Sequence, residues 1–405
     1  MATKSPISDR VLKILDEVEQ VASLDLTESK TLPRECYVDP EWYEFEKEAI
    51  FARQWLCVGR ADQVKKPGDY IRIDVADEPL IVIRDYDNDI RVLSAVCAHR
   101  AHVVAEGSGN CGKVLRCPWH FWSYGLDGRL ITAPSMSETI PLDALKKEAY
   151  LPQLKVELWN GFIFANMDPD AAPLRPTLSK LEKELERYHM EDMLSVPAAD
   201  FPDNPWNWKS ELENEPYHTA YLHMTIHDFA HVRLASFVDW DDEDGAVWHP
   251  TGFYHLDGGF NATEKALLPV IPTLTEKERK QVIFAMIPPT LLLGMMPDYV
   301  MWYLVLPNGP ERMTLRIGMS YPADTFKLPM FEHLHKANAD GLVTVANQDN
   351  TAHESVQRGF RSRYRRPGRT CYQEETVQQQ NRWLLRRYRE YVQEAMAEGA
   401  VGAGA

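Results

Sequence analysis

Between Ser8 and Leu24 the apolar residues Val11, Leu12, Ile14, Leu15, Val18 and Val21 recur at helical spacing behind a serine able to cap them. The spacing predicts an amphipathic helix. From Trp55 to Asn166 the texture changes to short alternating or β-branched runs, among them YIRIDVADEPLIVIRDYDNDIRVLSAV and LKVELWNGFIFANM. Pro67-Gly68-Asp69, Asp87-Asn88 and Asp127-Gly128 punctuate them as turns, which predicts a small antiparallel β-domain. Asp168-Pro169-Asp170 and Ala171-Ala172-Pro173 read as its exit linker. Helical periodicity returns over residues 178–190 and again from Asn207 to His223. Apolar runs between Gln281 and Ser320 predict strands of a second sheet. Phe331 to Gln357 is helical in composition, and Gln373 to Met396 reads as a long closing helix. The pattern is α+β: a small antiparallel β-domain, placed at 46–168, and a larger domain from 1–45 and 169–405 with its own antiparallel sheet and helices.

Composition narrows the function classes. The 405 residues are 44% hydrophobic and 26% charged, an ordinary globular balance that excludes wholesale disorder. A net charge of −16 disfavours nucleic acid as a partner. No apolar run approaches the roughly 18–20 residues a membrane span needs. The first twenty residues lack the apolar core of a secretory signal, so a cytoplasmic location is expected. The acidic stretch Asp239 to Asp244, interrupted only by Trp240, reads as a solvated loop. Six cysteines are too few for a disulfide scaffold. Cys36, Cys57, Cys111 and Cys371 are scattered and read as small buried hydrophobes. Cys97 and Cys117 differ, because each has a histidine just downstream.

Cys97-Ala98-His99 and Cys117-Pro118-Trp119-His120 form C-x-H-x17-C-x2-H within the β-domain. Two thiolates and two imidazoles can hold one tetrahedral ion or a binuclear cluster. Zinc fingers pair cysteines locally and histidines locally, whereas each loop here supplies one of each. That mixture suits a [2Fe–2S] cluster with two thiolates on one iron and two imidazoles on the other. CAHRAH followed by CPWHFWSYGLDGRL resembles the two cluster loops of the Rieske domain. Upstream, YVDPEWYEFEKEAIFARQW and KPGDY resemble the entry segment of ring-hydroxylating oxygenase α-subunits. Cys111 and His102 match no ligand position and are expected to be structural.

A second constellation follows the β-domain. Asn207-Trp208-Lys209 precedes Glu215-Pro216-Tyr217-His218 and His223. Histidines five residues apart lie about 140° apart on a regular helix, so they converge on one ion only if the helix distorts or ends between them. Two imidazoles and one carboxylate with open positions make the facial triad of mononuclear non-haem Fe(II) oxygenases. Joined to the cluster motif, the whole chain resembles a Rieske non-haem iron oxygenase α-subunit, with a helix-grip catalytic domain. The resemblance implies His218, His223 and a downstream aspartate as iron ligands. Asp349, in NQDNTAHESVQRGF, matches that position best, with Asp340 as runner-up. It also implies that Glu215 bridges to a cluster histidine of a neighbouring subunit, His120 by family placement. The E-N pair of many relatives stands further from N-W-K than here, so Asn214 inherits no role. His227, Asp228 and His231 lie just beyond and could border the pocket.

The resemblance further implies a terminal oxygenase that activates O2 at Fe(II) with electrons from its own cluster. The two metals of one chain are far apart in the family, so a head-to-tail homotrimer is expected. A small β-subunit is compatible with it. No dinucleotide fingerprint is present, so NAD(P)H acts only through a separate reductase, with or without a ferredoxin. The arginine run from Arg358 to Arg369 is either a docking patch for an acidic donor or an intersubunit or surface segment. The strands from Phe284 to Leu306, with Met286, Met295, Met296, Tyr299 and Trp302, could line a pocket, though most are expected to be core. Hydroxylation of an aromatic or other small hydrophobic molecule is the leading expectation. Oxidative demethylation or hydroxylation of an alkylammonium compound is the alternative.

Overall fold

The computed structural model describes residues 7–214, 226–241, 243–397 and 399. The chain divides into two compact units, Phe51–Pro173 and a larger one from Met1–Ile50 with Leu174–Ala405.

The smaller unit is built from ten short strands. They are β1 (Leu56–Arg60), β2 (Asp69–Val75), β3 (Glu78–Arg84), β4 (Ile90–Ser94) and β5 (Ser108–Asn110). There follow β6 (Leu115–Arg116), β7 (Ser123–Tyr124), β8 (Leu130–Thr132), β9 (Lys155–Trp159) and β10 (Phe162–Asn166). They pair antiparallel in three sheets, ordered β1-β10-β9, β4-β3-β2-β5 and β6-β7-β8. β3 is an unbroken apolar run because Leu80 to Ile83 are buried on both faces. Its core joins Ile81, Ile83, Leu93, Trp122, Tyr124 and Leu151 to Cys97 and Cys117. Gly128 sits at φ +81, and a Cβ there would stand 2.3 Å from the Leu151 carbonyl oxygen, so the turn admits only glycine.

In the larger unit, α1 (Asp9–Ala22) starts at Ser8, whose hydroxyl accepts from the Val11 amide. α2 (Pro40–Glu46) follows. The predicted helix over 178–190 is shorter, Ser179–Leu185, because the chain then tightens into 3-10 turns around His189 at φ +46. β11 (Met193–Ser195), β12 (Ala199–Asn204), α3 (Trp208–Asn214), β13 (Val232–Ala235) and β14 (Val247–Phe253) come next. The long apolar strands β15 (Gln281–Ile287), β16 (Leu291–Met295), β17 (Val300–Gly309) and β18 (Arg312–Pro322) complete an eight-stranded antiparallel sheet. Its order is β11-β18-β17-β16-β15-β14-β13, with β12 also on β18. The helix expected from Asn207 to His223 is observed as α3, and its remainder lies outside the described residues.

α4 (Phe331–Phe360) and α5 (Glu375–Ala397) close the unit. α4 lies over one sheet face, where the Tyr321 hydroxyl hydrogen-bonds His335 Nδ1 at 2.9 Å. Gly341 permits close approach, since a Cβ there would meet the Phe260 carbonyl oxygen at 2.5 Å. Of the four scattered cysteines, Cys36 and Cys57 are buried as expected, whereas Cys111 is half-buried and Cys371 is exposed. Cys371 caps a short turn (Tyr372–Glu374) preceding α5, its amide donating to Glu374 Oε2 at 2.7 Å. No helix among the described residues is long and apolar enough to cross a membrane.

One buried network ties α2, α3 and α5 together. Lys209 Nζ donates to both Glu46 oxygens at 2.8 and 2.9 Å, and both side chains are fully buried. Tyr388 Oη and Trp208 Nε1 donate to the same carboxylate at 2.6 and 3.2 Å. Lys209→Met leaves that carboxylate buried without its cation. The expected cost is about 3–5 kcal/mol, read as a lower urea midpoint.

Candidate metal centres

The two cysteine loops of the smaller unit are conformational copies. The Cys97 amide donates to the His102 carbonyl at 2.9 Å, and the Cys117 amide to the Trp122 carbonyl at 2.9 Å. Their own carbonyls accept from Ala101 at 3.0 Å and Phe121 at 3.1 Å. Ala101 and Phe121 both adopt left-handed backbone, φ 57 and 60. Each loop therefore turns its cysteine inward and its histidine to the rim. The thiols are buried neighbours, and the rings of His99 and His120 meet edge to face with centroids 4.7 Å apart. His99 stacks on Trp122 at 4.8 Å.

The Tyr124 hydroxyl lies 3.2 Å from Cys97 Sγ and accepts from the Ala98 amide at 3.1 Å. Burial raises the Cys97 thiol pKa, opposed by that hydroxyl and by the His99 amide. Burial and then the charges of His99, Arg100 and His102 lower the pKa of His120, which favours the neutral ring a metal requires. A single tetrahedral ion needs its donors within about 4 Å of one another. Among the described residues, the group of three or more donors within 4.8 Å is His189, Glu191 and Asp192. The four loop residues form a thiol pair and an imidazole pair instead, which fits a binuclear cluster and not one zinc ion. With a cluster bound, Tyr124 is placed to donate to a ligand sulfur. Tyr124→Phe is expected to lower the cluster's reduction potential by roughly tens of millivolts, measured by redox titration.

In the larger unit, Asp349 lies on the inner face of α4 and is 5% exposed. Its Oδ1 is 3.6 Å from His227 Nε2, whose Nδ1 contacts Gln348 Oε1 at 3.1 Å. Asp340 is exposed and paired with Lys336 at 2.6 Å, so the two aspartates stand in opposite environments. Glu215, His218 and His223 lie outside the described residues. The segment that leads into them is fixed by a polar stripe on α4, at Asp349, His353 and Gln357, four residues apart. Gln357 Oε1 accepts from the Asn207 amide at 3.0 Å. His353 stacks on Trp206 at 5.0 Å and places Nε2 3.5 Å from Glu211 Oε2, which also accepts from Trp206 Nε1 at 3.2 Å.

Burial and then the Asp349 charge push the Glu211 carboxyl up to about 8. Glu211, His353 and Gln357 were not singled out by the sequence reading. His353 and Gln357 were findable from the i, i+4, i+8 spacing after Asp349. His231 is half-exposed and bonded to Glu264 at 2.7 Å. Of the proposed pocket residues, Met286 is on the sheet face toward α4. Met295 and Trp302 alternate to the other face, where Trp302 Nε1 donates to Ser320 Oγ at 3.1 Å.

Asp298, between β16 and β17, accepts from the Leu267 and Leu268 amides at 3.1 Å each. Burial outweighs those bonds and raises its pKa to about 7. Folding therefore favours its neutral form. Its contribution is full below the unfolded value near 3.8 and declines as pH rises toward 7. The decline is expected to be on the order of 1–4 kcal/mol, and Asp298→Asn should flatten it in urea midpoints taken across that range.

Comparison with known proteins agrees with both units. The model of the ring hydroxylating alpha subunit (catalytic domain) matches residues 182–390, and that of the Rieske [2Fe-2S] domain matches 54–154. The carnitine monooxygenase oxygenase subunit of Acinetobacter pittii is 31% identical over 252 residues, 61% of this chain and 64% of that protein. Benzene 1,2-dioxygenase subunit alpha of Pseudomonas putida is 31% identical over 228 residues, 53% of this chain and 48% of that protein. The chain thus spans less than two thirds of the length of these relatives. Naphthalene 1,2-dioxygenase from Rhodococcus sp. shares the fold at TM-score 0.76 and 20% identity, covering 97% of this chain and 99% of that one. A quaternary ammonium Rieske monooxygenase solved with L-carnitine does so at TM-score 0.72 and 24% identity, covering 91% and 98%. The chain belongs to the ring-hydroxylating oxygenase α-subunits, whose members join a Rieske [2Fe–2S] domain to a catalytic domain for mononuclear iron.

Proposed function

We propose that the protein is the terminal oxygenase of a multicomponent system and oxidises an alkylammonium compound. The observation that carries the oxygenase reading is that one unit carries a pair of matching cysteine–histidine loops and the other carries a buried Asp349. Cys97 and Cys117 hold one cluster iron, and His99 and His120 the other. His218, His223 and Asp349 hold the mononuclear iron. When bound, the cluster supplies single electrons and the mononuclear iron binds O2. The protein's own groups orient these ligands. Tyr124 donates toward Cys97, and the Asn207–Gln357 bond and the Trp206–His353 stack hold α3 against the helix that bears Asp349. Glu215 accepts a hydrogen bond from His120 of a neighbouring subunit in a homotrimer, aligning the ring for electron transfer. Electrons arrive from a separate reductase, with or without a ferredoxin.

The alkylammonium class is supported by the carnitine monooxygenase subunits among the relatives. Aromatic hydroxylation is the second reading. It is favoured by the benzene dioxygenase relative and by a sheet face toward α4 that carries Phe284, Met286, Met301 and Met319. A substrate screen with a reconstituted electron donor separates them by product mass. A demethylated or hydroxylated alkylammonium product supports the first. Turnover of aromatic hydrocarbons alone would replace it with the second.

A further inference from the structure

The sheet face that looks toward α4 can be followed residue by residue. Tyr321 and Met319 share it, because both alternate to the side on which Tyr321 meets His335 of α4. Direct partners across antiparallel strands share a face, and Met319 pairs with Met301, Met301 with Gly294, Gly294 with Phe284, and Phe284 with His249. His249 is therefore the polar end of an otherwise apolar row. Phe260, whose carbonyl abuts Gly341 of α4, stacks on Phe284 at 5.9 Å and confirms the direction of that face.

His249 is fully buried, with ring neighbours Phe284 at 5.7 Å and Phe237 at 6.1 Å. Its Nδ1 is 2.9 Å from Thr251 Oγ1, while its Nε2 is buried without a hydrogen-bond partner among the described residues. Burial alone lowers its pKa to about 3, so the ring is neutral at any physiological pH. The Thr251 hydroxyl has the imidazole as its hydrogen-bond partner. If Nδ1 carried the proton, that hydroxyl proton would also be left without an acceptor. The tautomer with fewest orphaned groups has Thr251 donating to Nδ1 and the proton on Nε2. An unmatched donor in an apolar interior is costly, and a ligand acceptor placed there recovers the cost.

We propose that His249 is a specificity-determining residue whose Nε2–H donates to an uncharged acceptor oxygen of the substrate, a carbonyl, ether or hydroxyl. This deepens the oxygenase reading by naming the chemistry of the substrate end lodged against the sheet. It rests on that reading only for the site being the substrate's. A cationic or carboxylate group of the same substrate would lie elsewhere, since the row carries no charged side chain to meet it.

1-Indanone and indane are suitable probes, because they differ by one carbonyl oxygen and carry no charge. Calorimetric affinities are measured on the anaerobic holoenzyme, so turnover is not needed. The wild type is expected to prefer 1-indanone. His249→Phe, which keeps a ring but no donor, is expected to weaken 1-indanone roughly 5- to 100-fold and leave indane nearly unchanged. His249→Gln, which keeps a donor, is expected to restore part of the preference. Equal weakening of both probes in His249→Phe would mark a merely structural residue and overturn the proposal. A wild type that does not distinguish them, through a bound water at Nε2 or because neither binds, overturns it as well. Retained discrimination in an enzyme that oxygenates nothing would sink the oxygenase reading and leave the anchor standing.

Discussion

Asp349→Ala is expected to strip the mononuclear iron and reduce turnover by more than roughly 10²-fold, while the cluster's absorption and electron paramagnetic resonance signal stay unchanged. The separation follows from the architecture, because Asp349 belongs to the larger unit and the cysteine–histidine loops to the smaller one. Asp349 is a buried carboxylate with another, Glu211, close enough to raise that neighbour's pKa. Two buried carboxylates that repel one another are unfavourable unless one is protonated or a cation offsets the charge. Asp340→Ala serves as the contrast. That side chain is exposed and paired with Lys336, and its loss should leave iron content and turnover at wild-type levels. Full activity in Asp349→Ala together with loss in Asp340→Ala would reverse the assignment.

The second large effect concerns the cluster. Cys97→Ala or His120→Ala should abolish the red-brown colour and the Rieske-type resonance of the reduced protein, because loss of one ligand exposes labile iron to solvent. His102→Ala is the control on the same loop. His102 is exposed and its Nδ1 contacts the Val103 carbonyl oxygen at 2.6 Å, outside the matched ligand positions. It should keep the cluster. A wild type that stays colourless after anaerobic reconstitution with iron and sulfide would refute the cluster assignment outright.

How far such a site can be read from sequence depends on how local it is. The cluster ligands sit in two loops separated by 17 residues, and each loop closes through bonds between residues four and five apart. Such a motif is visible in one dimension. α4 was equally legible as a helix, and Asp349 was placed on it by its resemblance to the family position. Glu211 was not legible. A glutamate inside SELEN looks like a solvated helical residue, and only the packing of α3 against α4 buries it beside His353. His249 was hidden for a related reason. A histidine in a strand has no marked face until the register across β14 to β18 is known, and register depends on long-range pairing. The alternation of Met295 and Trp302 away from α4 was hidden by the same gap, since fully apolar strands carry no polar beat to reveal their faces.

The most direct test of the account is a joint determination of iron, acid-labile sulfide and spin on the purified, anaerobically reconstituted protein. The account predicts about three irons and about two sulfides per chain, with a Rieske-type signal appearing on reduction. It further predicts that Asp349→Ala holds about two irons with the same sulfide and the same signal. Sulfide-free protein holding a single metal per chain, or an Asp349→Ala variant that keeps the full wild-type iron, would contradict it.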